Sequence, residues 1–413
     1  MNISWQLLHT LEQTYGDSYY LLHLDAFEAN YKEFLEAFRA DYPNSNIAYS
    51  YKTNYIPKLC QLVNTMGGYA EVVSSMEYDL AVHIGVPSQR IIFNGPYKSE
   101  FDLERALLAG SIVNLDSFYE VAMVEAIARR APGQILTVGL RCNVDLGIEN
   151  VSRFGFDTSG QMLESAFRTL RRVKNCRVAG LHCHLLTPTR SAESYAFLVK
   201  KMLEIAAGLF EDAPPQFIDV GGGFFSKMIP ALRKQFPFAI PTFQEYAQAI
   251  SPLFANTFPG GLGPELLLEP GIAITADTMQ FVAKVIDIKT VRSRVIALLS
   301  GSIYNIKPTK NTRNLPIRVF HNNDDIKSRY ADGIIDLVGY TCMEDDCLYT
   351  GYQGHLSVGD YVVFDNVGAY TIVLKPPFIS PCPPIISYDA NLKDVTVIRH
   401  QEKFSHIFST YVF

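Results

Sequence analysis

Lys52 stands in the stretch AYSYKTN, just past an apolar run that reads as a strand. If that strand ends at the mouth of a barrel, apolar and aromatic neighbours destabilise the ammonium form, which suits the amine to Schiff-base chemistry. Taken alone, a lysine whose stem lies along the surface is the commoner outcome. Asp219-Val220 lead into Gly221, Gly222 and Gly223 after the run PQFI. Backbone amides in such a loop approach an anion closely and can cradle a phosphate; a plain tight turn has the same sequence. Glu269 ends the run ELLL before Pro270 and Gly271. A carboxylate at a strand end in a barrel mouth is nearly buried and needs a partner: a protonated pyridine nitrogen, or an ordinary salt-bridge cation. His182 and His184, two apart on a strand, share a face and could bind a metal. That supports a rival class, the metal-dependent TIM-barrel hydrolases. Yet His83, His321, His355, His400 and His406 stand alone in sequence, so no second cluster completes such a site. His184 reads better as a ring stacked on an aromatic cofactor, or as a core histidine.

Positioning these residues requires a particular alternation. From about Tyr20 to Gly271, short Ile/Val/Leu-rich runs alternate with amphipathic stretches. IAYSYK, AEVVSS, RIIFNG, SIVNLDS, ILTVGLRCN, VAGLHCHL, PQFIDVGGG and ELLLEPG read as strands; SSMEYDLAVHIG, SEFDLERALLAG and SYAFLVKKMLEIAAGLF read as helices. Parallel strands need crossovers of about a dozen residues or more, and eight such units over ~250 residues is the size of a TIM barrel. After Gly271 the texture becomes β-type, with MQFVAKVIDIKTV, SRVIALLSGSIY, IIDLVGY, DYVVFDNVGAYT and VTVIRH. The expected division is residues 1–20 packing with a β domain, 21–271 as barrel, and 272–413 as a mainly antiparallel β domain. Cys342 and Tyr370 fall in that last domain, where a buried inert thiol and a structural tyrosine are the ordinary fates.

Composition narrows the partners. The 413 residues are 48% hydrophobic and 19% charged, with net charge −6, and carry no long basic block. Nucleic acid and anionic membrane are therefore poor partners, and no apolar run approaches the ~20 residues of a membrane span. The N-terminus, MNISWQLLHTLEQTYGDSYY, lacks the basic-then-apolar order of a secretory signal. Seven cysteines without a CxxC pair indicate neither a disulfide framework nor a zinc knuckle, and point to the reducing cytoplasm.

Together the segments resemble the fold type III pyridoxal 5′-phosphate (PLP) enzymes, specifically the diaminopimelate and ornithine decarboxylase family. The matching stretches are YKTN at 51–54, VSSME at 73–77, RFG at 153–155, GLHCH at 180–184, GGGF at 221–224, EPG at 269–271, Cys342 with Asp346, and GAYT at 368–371. They occur in the family's order along nearly the whole chain. The resemblance implies an alanine-racemase-type TIM barrel with a C-terminal β domain. It implies that Lys52 carries PLP as a Schiff base, that His184 stacks on the ring and that Glu269 keeps the pyridine nitrogen protonated. Gly221, Gly222 and Gly223 would hold the phosphate, with Thr187, Gly271 and the Tyr370 hydroxyl. Cys342 would enter the site from the partner subunit of a homodimer and protonate Cα after CO₂ leaves.

Some positions depart from the family. Its EPGR ends here in Ile272, its HIGS is His184-Leu185-Leu186-Thr187, and Phe378-Ile379 stand where Phe-Asn is usual. Met343 replaces the acid that receives the distal amine of a diamino acid, and a thioether cannot pair with an ammonium. Lys307, Lys310 and Arg313 lie in the corresponding specificity segment, as a pocket for a distal anionic group or as a solvated loop. These features favour a conjugated or modified amino acid of siderophore or natural-product type as substrate. The alternatives are diaminopimelate or another diamino acid, or racemisation.

Overall fold

The computed structural model describes residues 3–147, 151–184, 187–322, 330–388 and 395–413. Eight strands form the first sheet's closed path: β1 Ser45–Ser50, β2 Tyr69–Val72, β3 Ile91–Phe93, β4 Ile112–Leu115, β5 Leu136–Asn143, β6 Cys176–His182, β7 Phe217–Asp219 and β8 Glu265–Leu268. Each pairs in parallel with the next, and β8 pairs back to β1, which closes the barrel. Each coincides with a run read as a strand in the sequence. Strands covered on both faces can be apolar throughout, and β3 (Ile91, Ile92, Phe93) is buried at every position. Truncating Ile92 to alanine there costs about 3 kcal/mol, the usual range for a large core aliphatic.

The connecting helices start on serine caps. Ser74, Ser99 and Ser191 accept hydrogen bonds from the amides of Glu77, Asp102 and Ser194, opening helices Ser75–His83, Glu100–Leu108 and Ala192–Leu209. Because all eight strands run the same way, residues at or just past their C-terminal ends collect at one end of the barrel. Lys52, Glu71, Asn94, His182, Asp219 and Glu269 all occupy such positions.

The second unit is built on a sheet of nine strands among the described residues. Its longest strand, Met279–Val291, pairs antiparallel with Ser18–Leu22, Arg294–Leu299 and Tyr361–Phe364. Two contacts are parallel: Ser18–Leu22 with Ile385–Tyr388, and Arg294–Leu299 with Tyr330–Val338. Leu8 and Leu11 of the N-terminal helix Trp5–Tyr15 pack on Tyr19, Leu21, Val282 and Tyr361. The β unit comprises Met1–Phe27, Lys227–Pro237 and Thr275–Phe413, and the barrel unit Glu28–Ser226 with Phe238–Ile274. The strand Ser18–Leu22 pairs into the antiparallel sheet, and residues through Phe27 group with it. The excursion 227–237 has no counterpart in the sequence division. Among the described residues no helix is long and apolar enough to cross a membrane.

Candidate active site

Lys52 lies in a single 3₁₀ turn, Tyr51–Thr53, directly after β1. Its Nζ is held against the carboxylate of Glu71 on β2 and lies 3.4 Å from Ser50 Oγ. Glu71 is completely buried whereas the Lys52 side chain keeps about a third of its surface (31%), so the amine is accessible while its counter-ion is not. Asn94, just past β3, donates its side-chain amide to both Glu71 Oε1 and Glu269 Oε1. Asn114 of β4 in turn donates to Asn94 Oδ1 at 2.8 Å, which fixes which end of the Asn94 amide faces the carboxylates. Glu71, Asn94 and Asn114 were not singled out in the sequence. The available signal was an acid inside the four-residue apolar strand YAEV, a costly place for a charge unless it is paired.

Glu269, just past β8, is buried, with His182 Nε2 at 3.4 Å and His184 Nδ1 at 3.9 Å. Burial alone would raise its proton affinity. His182 and Lys52 overcome that effect and hold the carboxyl well below the usual range, so it is an anion. Its neighbour Asp219 behaves oppositely: burial and the adjacent Glu269 charge push its pKa well up, which favours its protonated form. Two carboxyls in one pocket are thereby shifted in opposite directions. His182, Asp219 and Glu269 each have a ligand atom within 4.8 Å of the others, the arrangement nearest to the metal-hydrolase reading.

The His184 ring is neutral. The Gly222 amide donates to its Nδ1 at 3.1 Å, and burial pushes its pKa down to about 3. The glycine loop is tightly packed. A side-chain carbon on Gly222 would fall 2.2 Å from the Glu269 carbonyl, and Gly223 has φ +95. The Gly221 amide donates to Asp219 Oδ1 (2.9 Å), and Tyr195 donates to the Gly222 carbonyl (2.7 Å). At Gly271 an added carbon would sit 2.0 Å from Thr53 Oγ1, so the missing side chain lets the Glu269-Pro270-Gly271 turn close on the Lys52 turn. Thr187 Oγ1 accepts from the Arg190 amide at 3.0 Å. Leu185 and Leu186 lie outside the described residues. Beside His184 a cavity of about 640 Å³ is lined by Arg141, Asn143, Arg153, Phe154, Asp157 and Cys183. Arg141 is fixed by Asp116 (3.1 Å).

In the β unit, Asp346 staples the turn that presents Cys342, accepting from the amides of Ile303 (2.7 Å) and Thr341 (3.0 Å). Cys342 is exposed, whereas burial pushes up the thiols of Cys60, Cys142 and Cys183 and leaves them inert. Tyr370 is half-buried in a left-handed conformation (φ +59) ahead of the short helix Thr371–Leu374. The basic segment is engaged internally. Lys307 is buried and donates to the Arg313 carbonyl (2.8 Å), Lys310 pairs with Asp345 (2.8 Å), and the Arg313 guanidinium stacks on Phe236 (4.1 Å). Met343 Sδ accepts from the Tyr304 hydroxyl at 3.3 Å. Ile272, in the arginine position, begins the short helix Ile272–Thr275.

A closed parallel barrel thus gathers, at one end of its strands, an accessible lysine, a buried carboxylate and a glycine loop, groups that could hold a PLP cofactor. Residues 24–276, more than half of the chain, match the pyridoxal-binding domain of the pyridoxal-dependent decarboxylases, and the chain belongs to that family. It is an enzyme, a PLP-dependent amino-acid decarboxylase. It is 24% identical to the diaminopimelate decarboxylase of Aquifex aeolicus over 97% of this chain and 93% of that one. It is also 24% identical to the L-glutamyl-[BtrI acyl-carrier protein] decarboxylase of Niallia circulans, over 91% of this chain and 89% of that one. The fold is that of a Methanocaldococcus jannaschii diaminopimelate decarboxylase crystal structure (TM-score 0.86, 22% identity, 98% of this chain and 94% of that one).

Proposed function

We propose that the chain decarboxylates an amino acid with a polar distal end, of the diaminopimelate class, on PLP carried by Lys52. The observation that carries this is the accessible Lys52 amine set beside the buried Glu71–Asn94–Glu269 network. The pocket fits the cofactor: a neutral ring in His184, a carboxylate anion in Glu269, and a glycine loop whose backbone packs so closely on His184, Glu269 and Tyr195 that only glycine leaves its amides exposed to an anion. PLP supplies the electron sink that accepts the bonding pair freed as CO₂ leaves. Lys52 would hold the cofactor, with Glu71 and Ser50 orienting its Nζ. Glu269 would hold the proton on the pyridine nitrogen, and His184 would stack on the ring. Gly221, Gly222 and Gly223 would line the phosphate, the Gly221 and Gly222 amides turning to it from Asp219 Oδ1 and His184 Nδ1, with Thr187, Gly271 and Tyr370 as further ligands. Cys342, exposed on the turn held by Asp346, returns the proton to Cα. We assign Cys342 to the site of a second copy, in a homodimer, and place the enzyme in the cytoplasm.

The similarity to several diaminopimelate decarboxylases over nearly the whole chain supports that substrate class. A conjugated amino acid is the second reading, favoured by the apolar Met343 and by similarity to the carrier-protein decarboxylase. Of its candidate distal pocket, Lys307 donates to the Arg313 carbonyl, Lys310 pairs with the exposed Asp345 and Arg313 lies over the Phe236 ring. Carbon dioxide release from meso-diaminopimelate, lysine, ornithine and a carrier-linked glutamate separates the two. The proposal expects kcat/KM for diaminopimelate to exceed that for the conjugate; the reverse ranking sustains the second reading.

A further inference from the structure

Arg190 adopts a left-handed backbone conformation (φ +46), which residues other than glycine seldom take. Two contacts lock it. The Arg190 amide donates to Thr187 Oγ1 at 3.0 Å, and the buried Tyr246 donates its hydroxyl to the Arg190 carbonyl at 2.8 Å. The side chain is thereby laid beside the glycine loop: Nη1 donates to the Gly223 carbonyl at 3.3 Å, and the guanidinium carbon lies over the Phe225 ring, 5.2 Å from its centroid. Among the described residues, no carboxylate comes within ion-pair range of this guanidinium. It has five N–H donors, and one is spent on Gly223. The first turn of helix Ala192–Leu209 closes on the same loop. The Tyr195 hydroxyl donates to the Gly222 carbonyl at 2.7 Å and would lie 3.1 Å from a side-chain carbon on Gly223.

We propose that Arg190 is the phosphate-binding cation of the cofactor site, its unspent guanidinium donors engaging the phosphate ester while Gly223 anchors the remaining one. A planar fork matches a tetrahedral oxyanion through paired hydrogen bonds, and a cation without a carboxylate partner is free to take that role. Ile272, which follows Gly271, brings no charge to the site. The inference rests on reading residues 221–223 as the phosphate cradle.

The test uses the full-length chain stripped of cofactor with hydroxylamine. Affinities for PLP and for pyridoxal, which lacks the phosphate, are measured by absorbance for the wild type, Arg190→Gln and Arg190→Lys. The proposal expects Arg190→Gln to weaken PLP at least about tenfold, with pyridoxal changed by less than about twofold, and Arg190→Lys to fall between. Because each variant is judged by its own PLP-to-pyridoxal ratio, a general loss of stability does not mimic the effect. An unchanged ratio in Arg190→Gln overturns the role of Arg190 while leaving the cradle intact. A wild type that binds PLP no more tightly than pyridoxal removes the cradle reading itself, and the proposal with it.

Discussion

Lys52 and Glu71 face each other across the ends of adjacent barrel strands, the lysine accessible and the glutamate completely buried. A buried anion beside an amine favours the ammonium form. Glu71→Gln removes that anion and leaves an amide that still accepts from Asn94. The pH midpoint for capture of PLP by the chain therefore moves to lower values, and kcat falls because the amine loses its orienting partner. Stopped-flow absorbance of cofactor capture across pH 6–9 measures the midpoint; a midpoint that stays put or rises contradicts the pairing.

The two carboxyls of the pocket are shifted in opposite directions, Glu269 toward the anion and Asp219 toward the protonated acid. Asp219→Asn preserves both the neutrality and the acceptor for the Gly221 amide, so most activity survives. Glu269→Gln removes the charge facing the pyridine nitrogen, and turnover falls on the order of a hundredfold or more while cofactor is retained. Steady-state kinetics of both variants decide it. Equal losses in the two mean that the charge is shared rather than placed on Glu269.

Glu77 caps its own helix, with its carboxylate accepting from the Val73 amide at 2.8 Å. Burial, assisted by the Glu71 charge, raises its pKa from 4.5 to about 7 against the opposing pull of the Val73 amide and Lys52. The folded state thus binds this proton more tightly than the unfolded chain. The associated stability is complete below about pH 4.5 and is lost as pH rises through about 7. Glu77→Gln resembles the protonated acid. It should match the wild type at pH 4.5 and exceed it at pH 8.5 by about 2 kcal/mol in urea denaturation. A variant less stable at pH 8.5 would show that the ionised carboxylate is the stabilising form.

Cys342 is exposed on a turn built by Asp346, far along the chain from Lys52. If each site takes its cysteine from a second copy, Lys52→Ala and Cys342→Ala chains complement when mixed. Random exchange restores up to about a quarter of wild-type activity, from the one intact site per heterodimer. Verified exchange without rescue places both residues in the same chain's site.

The strands of the barrel were legible because each is a short apolar run bounded by turn residues, and β1 to β8 fall where those runs stand. Lys52, Glu269 and the glycines 221–223 stood out as chemistry-bearing residues at strand ends. Glu71 and Asn94 did not, since their importance comes from closure of the barrel, which brings the ends of β2, β3 and β8 together across almost two hundred residues of sequence. Arg190 was invisible for a different reason: its placement depends on a left-handed turn fixed by Tyr246, fifty-six residues on. The three basic residues at 307, 310 and 313 show the converse. They read as a possible pocket in sequence, but folding pairs them with a carbonyl, a carboxylate and a ring.

Reduction of the holoenzyme with borohydride, followed by digestion and peptide mapping, tests the central assignment most directly. The account predicts one modified peptide, carrying the cofactor on Lys52, and loss of that adduct in Lys52→Ala. The informative rival is Lys98, completely buried near the end of β3 and paired with Glu120 at 3.0 Å. Label on Lys98, or on any lysine other than Lys52, contradicts the site described above.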